Sequence, residues 1–198
     1  MNWLAHLRLA PAPGLVRLGC LAGDFVRGVD LTTLPPALVH GIRHHRAVDR
    51  FVDAHPVVAQ SRRRVSPPLR RFAGVLVDVF YDHFLAREWA QHGDGGSLPQ
   101  FAAAVHAELT AHSAVLPPDL QRVAPRLAEQ RWLLAYASLD GMRTILQAMS
   151  RRLARENGLG LGGDELRRDY EAFAGDFGSL WPELVRFAGA GWGRDHSQ

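Results

Sequence analysis

Two short stretches hold the side chains best suited to chemistry. In GIRHHRAVDRFVDAHP, residues 41–56, His45, Asp49 and Asp53 recur every four residues. On a helix that spacing projects all three from one face. Ile42, Val48, Phe51 and Val52 fall on another side. A face of one imidazole and two carboxylates is costly to bury without a cation or a hydrogen-bond partner. In VLVDVFYDHFLAREW, residues 75–89, Asp78 and Asp82 stand four apart, with His83 beside Asp82. Here the neighbours are apolar (Val75, Leu76, Val77, Val79, Phe80, Phe84, Leu85), so solvation does not explain the polar set. Hard divalent cations take mixed carboxylate and imidazole ligands. The simplest arrangement packs the two helices with these faces meeting around one or two cations. The plain alternative for His45, Asp49 and Asp53 is a solvated helix face.

Other candidates stand nearby. Asp24, between a glycine and FVRG, is either a further carboxylate ligand or a helix cap. His6 is either a core histidine or a ligand. His44 lies about 100° round the helix from His45 and is expected to face solvent or substrate. His55, before Pro56, reads as a helix end. His40, His92, His106 and His112 show no partner spacing. Arginines cluster at Arg43, Arg46 and Arg50, at Arg62, Arg63, Arg64, Arg70 and Arg71, and at Arg151, Arg152 and Arg155. Most suit a solvated face. Arg46, nearest the metal helices, suits phosphate contact, and the 62–71 group suits docking of an acidic partner. No aromatic residues interleave there in the manner of a single-strand-binding surface. No nucleophile elbow, Walker loop or strand-led dinucleotide fingerprint occurs. GLGLGG lies between helical segments and reads as a flexible connector, not a phosphate cradle.

The elements that must position these residues carry a helical period throughout, with no alternating strands joined by hairpin turns. NWLAHLRLA is expected to be helical or extended, and LVRLGCLAGDFVRG a helix or turn leading into a loop; helices are expected from about residue 36 to His55, over the basic VVAQSRRRV, and from about Leu69 to Gln91. Further helices are expected over 98–113, over PPDLQRVAPRLAEQRWLLAYA with a break at Pro125, and over 140–154. A last one after the glycine connector kinks near Gly175 or Pro182. The expected architecture is one all-α domain, residues 1–198, a bundle of seven to nine helices. Hydrophobic residues at 47% and charged residues at 22% allow a large core. The single cysteine, Cys20, excludes an internal disulfide and a thiolate zinc site, and suits a reducing cytoplasm. The opening residues lack a secretory-leader pattern and no long apolar run is present, so neither a leader nor a membrane span is expected.

MNWLAHL, LAGDFVRG, GIRHHRAVDRFVDAHP and VDVFYDHFLAREW, in this order, resemble the bacterial acyl carrier protein phosphodiesterases, and EQRWLLAYASLDGMRTILQAMSRR is similar too. The resemblance covers about residues 1–155. It implies an all-helical, HD-domain-like member of the HD phosphohydrolase superfamily, using a divalent cation, typically Mn2+, with Mg2+ or Fe2+ as alternatives. The implied reaction hydrolyses the phosphodiester between 4′-phosphopantetheine and a serine of holo acyl carrier protein. The implied metal ligands are Asp24, His45, Asp49, Asp78, Asp82 and His83, with His6 and Asp140 as weaker candidates. The implied catalytic group is Asp24, His45, Arg46, Asp49, Asp82 and His83, and Arg27 and Arg46 are the implied phosphate ligands. The superfamily's adjacent pair is His-Asp, whereas the pair here is Asp82-His83, which leaves individual ligand positions unassigned. The partner is an acidic carrier protein, with neither nucleic acid nor membrane expected. Two other classes stay open: a metal phosphohydrolase acting on a nucleotide or another small phosphodiester, and a non-enzymatic basic helical adaptor.

Overall fold

The computed structural model describes residues 1–129, 131–153 and 157–190. Among the described residues the chain is all-helical, without a strand. The α-helices are α1 (Trp3–Arg8), α2 (Leu15–Ala22), α3 (Pro36–Ala54), α4 (Pro56–Arg64), α5 (Ala73–Arg87) and α6 (Trp89–His92). They continue with α7 (Leu98–Ala111), α8 (Pro118–Glu129), α9 (Trp132–Ala135), α10 (Leu139–Arg151), α11 (Gly162–Arg168) and α12 (Tyr170–Gly189). Short 3-10 turns connect several of them. The helices outnumber the seven to nine expected because several segments are divided. The stretch expected as one helix over 69–91 becomes a 3-10 turn (Pro67–Phe72), α5 and α6. The last segment breaks at Asp169, not at Gly175 or Pro182, and Pro125 and Pro182 both lie inside helices. Arg155 of the third arginine cluster lies outside the described residues.

α5 is the centre of the bundle. Leu76, Val77, Val79, Phe80, Tyr81, Phe84 and Leu85 are all fully buried, so apolar residues surround this helix on every side. It packs against α1, α4, α10 and α12. A buried polar network ties α12 to this core. Asp176 accepts from Ser61 Oγ at 2.6 Å and Arg64 Nε at 3.0 Å, and Ser61 in turn meets Tyr81 Oη at 2.8 Å.

α3 begins with Pro36 in its first turn, where the missing N–H costs nothing. It ends at His55, whose Nδ1 accepts from Val57 N and so caps α4. α2 crosses α3 through two glycines. A Cβ on Gly19 would come within 2.2 Å of the Leu38 carbonyl oxygen, and one on Gly41 within 2.1 Å of the Val16 carbonyl oxygen. Only hydrogen at these positions permits the approach. The glycine-rich stretch before α11, expected as a flexible connector, takes regular structure. Gly158–Leu161 forms a 3-10 turn with Leu159 buried, and Gly162 lies so close to Leu76 that a Cβ would meet its Cδ2 at 2.2 Å. These glycines serve close packing.

Candidate active site

α1 is only six residues long and would not persist alone. Three of its initial amides find side-chain acceptors. Asn2 Oδ1 takes Trp3 N at 3.0 Å. Asp82, from the middle of α5, takes Leu4 N at 2.7 Å and Ala5 N at 3.2 Å, one on each carboxylate oxygen. Asp82 is fully buried, and burial pushes its carboxyl up to about 7 against the pull of those amides. The consequence of this anchor is the placement of His6, which α1 holds over the middle of α3.

There the rings of His6 and His45 stack with centroids 3.9 Å apart. His45 Nδ1–H donates to the Cys20 carbonyl at 2.8 Å, a contact that the glycine crossing of α2 and α3 makes possible. This turns His45 Nε2 toward Asp49 Oδ2 at 3.1 Å and Asp24 Oδ1 at 3.6 Å. His6 Nε2 lies 3.1 Å from Asp49 Oδ1 and 3.2 Å from the Met1 carbonyl oxygen. Both neighbours are acceptors, so the tautomer with the proton on Nε2 is assigned. Asp24 is held from its other side by Trp3 Nε1, which donates at 2.8 Å. The Met1 amino group is buried 3.2 Å from Asp78 and 3.6 Å from Asp49. His6, His45 and Asp49 are the group among the described residues whose ligand atoms all lie within 4.8 Å of one another.

The electrostatics follow from burial with close carboxylates. For His45, burial opposes the charged ring, but Asp24 and Asp49 outweigh it and raise the imidazole to about 9. Asp49 is the counterpart: burial favours its neutral form, and contacts from His45 and His6 still hold it far below the usual carboxylate range. His6, fully buried and stacked on a charged neighbour, falls to about 4 and is neutral. Without a cation the cluster is therefore a charged His45 between two carboxylates. The donor set is also one a cation would accept. A histidine that gives one N–H to a backbone carbonyl presents its other nitrogen in fixed orientation, as metal-bound histidines do. Asp49 and Asp24 are partly open to solvent, which leaves an approach.

The remaining sequence candidates are distributed as follows. Asp78 borders the group through the Met1 amino group. Asp82 supports it from behind, with both oxygens taken by amides. His83 is not brought to it: Nδ1–H donates to the Tyr136 carbonyl at 2.7 Å, and Nε2 accepts from Tyr170 Oη at 2.9 Å. Asp53 pairs with Arg62. Asp140 lies in the first turn of α10, exposed. His44, expected to face solvent or substrate, is fully buried with Nδ1 3.6 Å from Cys20 Sγ, and burial lowers its imidazole to about 4. Arg27 and Arg46 are exposed. Of the 62–71 arginines, Arg62 and Arg64 are occupied by Asp53 and Asp176, and Arg70 Nε donates to the Val65 carbonyl. Arg63, Arg70 and Arg71 are the exposed ones. Spacing undervalued His6 and missed Trp3, because neither belongs to a local ligand pattern; their shared presence in MNWLAHL is the signal that marks them.

The class is set by an all-helical bundle in which two buried imidazoles meet carboxylates that are partly open to solvent. Within it, the sequence profile of a family described as "Acyl carrier protein phosphodiesterase" matches residues 1–184. A protein of Serratia proteamaculans named acyl carrier protein phosphodiesterase is 36% identical over 188 residues, covering 95% of this chain and 97% of that one. Proteins of the same name from Photorhabdus laumondii and Yersinia pestis are each 35% identical over 188 residues, covering 95% of this chain and 95% and 97% of theirs. No solved structure matches the chain. The chain belongs to the acyl carrier protein phosphodiesterase family.

Proposed function

We propose that the protein hydrolyses the phosphodiester joining 4′-phosphopantetheine to the seryl oxygen of holo acyl carrier protein. The products are apo carrier protein and free 4′-phosphopantetheine. The observation that carries this reading is the His6–His45–Asp49 group, with Asp24 beside it, in a chain of this family. The cofactor in this reading is a divalent cation, Mn2+ first, with Mg2+ or Fe2+ as alternatives. With the Nε2 protons of His45 and His6 given up, the two rings and Asp49 would hold it, with Asp24 and Asp78 at its edge. When bound, such a cation acidifies a water and offsets charge on phosphorus. Water oxygen bonds to phosphorus, the bond from phosphorus to the seryl oxygen breaks, and that oxygen takes up a proton.

The chain's own residues do the positioning. The Cys20 carbonyl fixes the His45 ring, Trp3 fixes Asp24, and the Met1 amino group fixes Asp49. Asp82 and His83 enter the reading as supports of this geometry. Arg46 and Arg27 take the non-bridging phosphate oxygens, whose charge grows in the transition state. Arg63, Arg70 and Arg71 form the docking surface for an acidic carrier protein. The HD-like arrangement, the single domain over residues 1–198 and a cytoplasmic location belong to the same reading. Among the described residues no helix is long and apolar enough to cross a membrane. Electrophoretic conversion of holo to apo carrier protein, with metal analysis of the purified protein, is the test. A protein that is metal-free and leaves holo carrier protein intact when Mn2+ is added overturns the reading.

A further inference from the structure

Beside the cluster, a cavity of about 480 Å3 opens between α1, α8, α9 and α10. Trp3 connects the two places. Its indole N–H holds Asp24 in the cluster, and its ring lines the cavity, edge-on to Trp132 with centroids 4.7 Å apart. Ile145 and Met149 supply apolar wall, and the exposed Arg151 and Arg152 border it. Trp132 is 5% exposed and Tyr136 0%, and the Tyr136 hydroxyl interacts with the side chains of Trp132 and Asn2, which gives the inner wall a polar corner.

We infer that this cavity receives the pantetheine arm of the carrier-protein substrate while its phosphate lies at the His6–His45–Asp49 group. The inference rests on the proposed phosphodiesterase activity and adds where, and by which residues, the arm is held. The arm is a slender chain with a gem-dimethyl group and two amides. The apolar wall and the indole faces suit the dimethyl group, and the Asn2–Tyr136–Trp132 corner, which can exchange its internal contacts for amide groups, suits the arm's amides. A bare hydrocarbon chain offers that corner no polar group, so the lining favours the arm over a fatty acyl group. Arg151 and Arg152 then meet the acidic surface of the carrier protein from which the arm projects. The size fits the range usual for small-molecule sites.

The test uses the full chain and pantetheine, which lacks the phosphate and so reports on the cavity apart from the cluster. Titration followed by 15N NMR should shift the indole N–H resonances of Trp3 and Trp132. Ala148→Trp, at an exposed position of the wall, should weaken pantetheine binding at least tenfold and raise KM for holo carrier protein. Trp132→Phe should weaken binding several-fold while the fold, read by circular dichroism, stays intact. Octanoate should compete poorly. Unmoved indole resonances, equal binding by Ala148→Trp, or octanoate binding more tightly than pantetheine would each overturn the assignment. Cleavage of holo carrier protein is assayed in parallel on the unaltered protein. Cleavage without pantetheine binding removes the cavity and leaves the activity standing; binding without cleavage supports the cavity and removes the activity.

Discussion

His45 and Asp49 each depend on the other's charge, and three predictions follow at the scale of single residues. Asp49→Asn keeps the shape of the side chain and removes its charge. Bound divalent cation, measured by elemental analysis, should fall together with a loss of turnover on the order of 100-fold or more. Full metal and full activity would remove Asp49 from the site. Asp82→Ala and His83→Ala act differently, because these side chains are bonded to backbone and tyrosine. Asp82→Ala strands two buried amides and should cost about 2 to 4 kcal/mol, read by denaturant unfolding. His83→Ala should lower the melting temperature while bound metal, per folded molecule, is unchanged; proportional loss of metal would make His83 a ligand. The third prediction concerns pH in chelator. His45 has a folded value of about 9 against an ordinary 6.5, so the folded state holds this proton more tightly. Its stabilisation is complete below about 6.5 and is lost as pH rises through 9. The Met1 amino group, where burial is outweighed by Asp78 and Asp49, is raised too and acts in the same sense. The melting temperature of the metal-free protein should therefore fall between pH 7 and 9, and His45→Gln should flatten that fall. A flat profile in the unaltered protein would contradict the charged His45.

At the scale of elements, the geometry depends on how closely α2 and its following turn approach α3. Gly23 shows this best. A Cβ there would stand 2.3 Å from His45 Cγ and Cδ2. Gly23→Ala should therefore displace the ring from Asp49 and Asp24. The expected stability cost is roughly 1–3 kcal/mol, with a larger fall in activity than that cost explains at a temperature where the variant is folded. Unchanged cation affinity in this variant would show that the ring position is not critical. The same scale explains why a six-residue α1 can carry a site residue at all. Its amides are bonded to α5 through Asp82, and the apolar surface of Leu4 and Leu7 is wholly buried, so tertiary contacts replace the length that an isolated helix needs.

At the scale of the whole molecule, the formal net charge is only +3, and distribution matters more than the total. Arg62 and Arg64 are committed within the fold, so reversing either would unmake Asp53 or Asp176 contacts and confuse docking with stability. Arg63, Arg70 and Arg71 avoid both ion pairs. Their joint replacement by Glu should raise KM for holo carrier protein far more than it lowers kcat, and should weaken the salt dependence of KM. Equal kinetics in both proteins would return this cluster to an ordinary solvated face.

The sequence alone determined that the chain is helical, because its apolar residues recur with a helical period and prolines and glycines mark the breaks. It also determined that helices from about residue 36 to His55 and within 69–91 carry the unusual polar residues, since His45–Asp49 share a face by spacing and Asp82 sits in an apolar run. Tertiary structure alone decided what those residues do. Asp82 and His83 are adjacent to each other in sequence, yet one closes the start of α1 and the other joins Tyr136 to Tyr170. His6, far away in sequence, stacks on His45. Periodicity reports the direction of a side chain from its own helix and says nothing about what meets it there. That meeting was set by two contacts of long range: the Gly19–Gly41 crossing, which brings Cys20 to His45, and the bond of Asp82 to α1, which brings His6 and Trp3. The glycine stretch before α11 makes the same point, since composition alone reads as a linker what forms a 3-10 turn packed against Leu76 and Leu69.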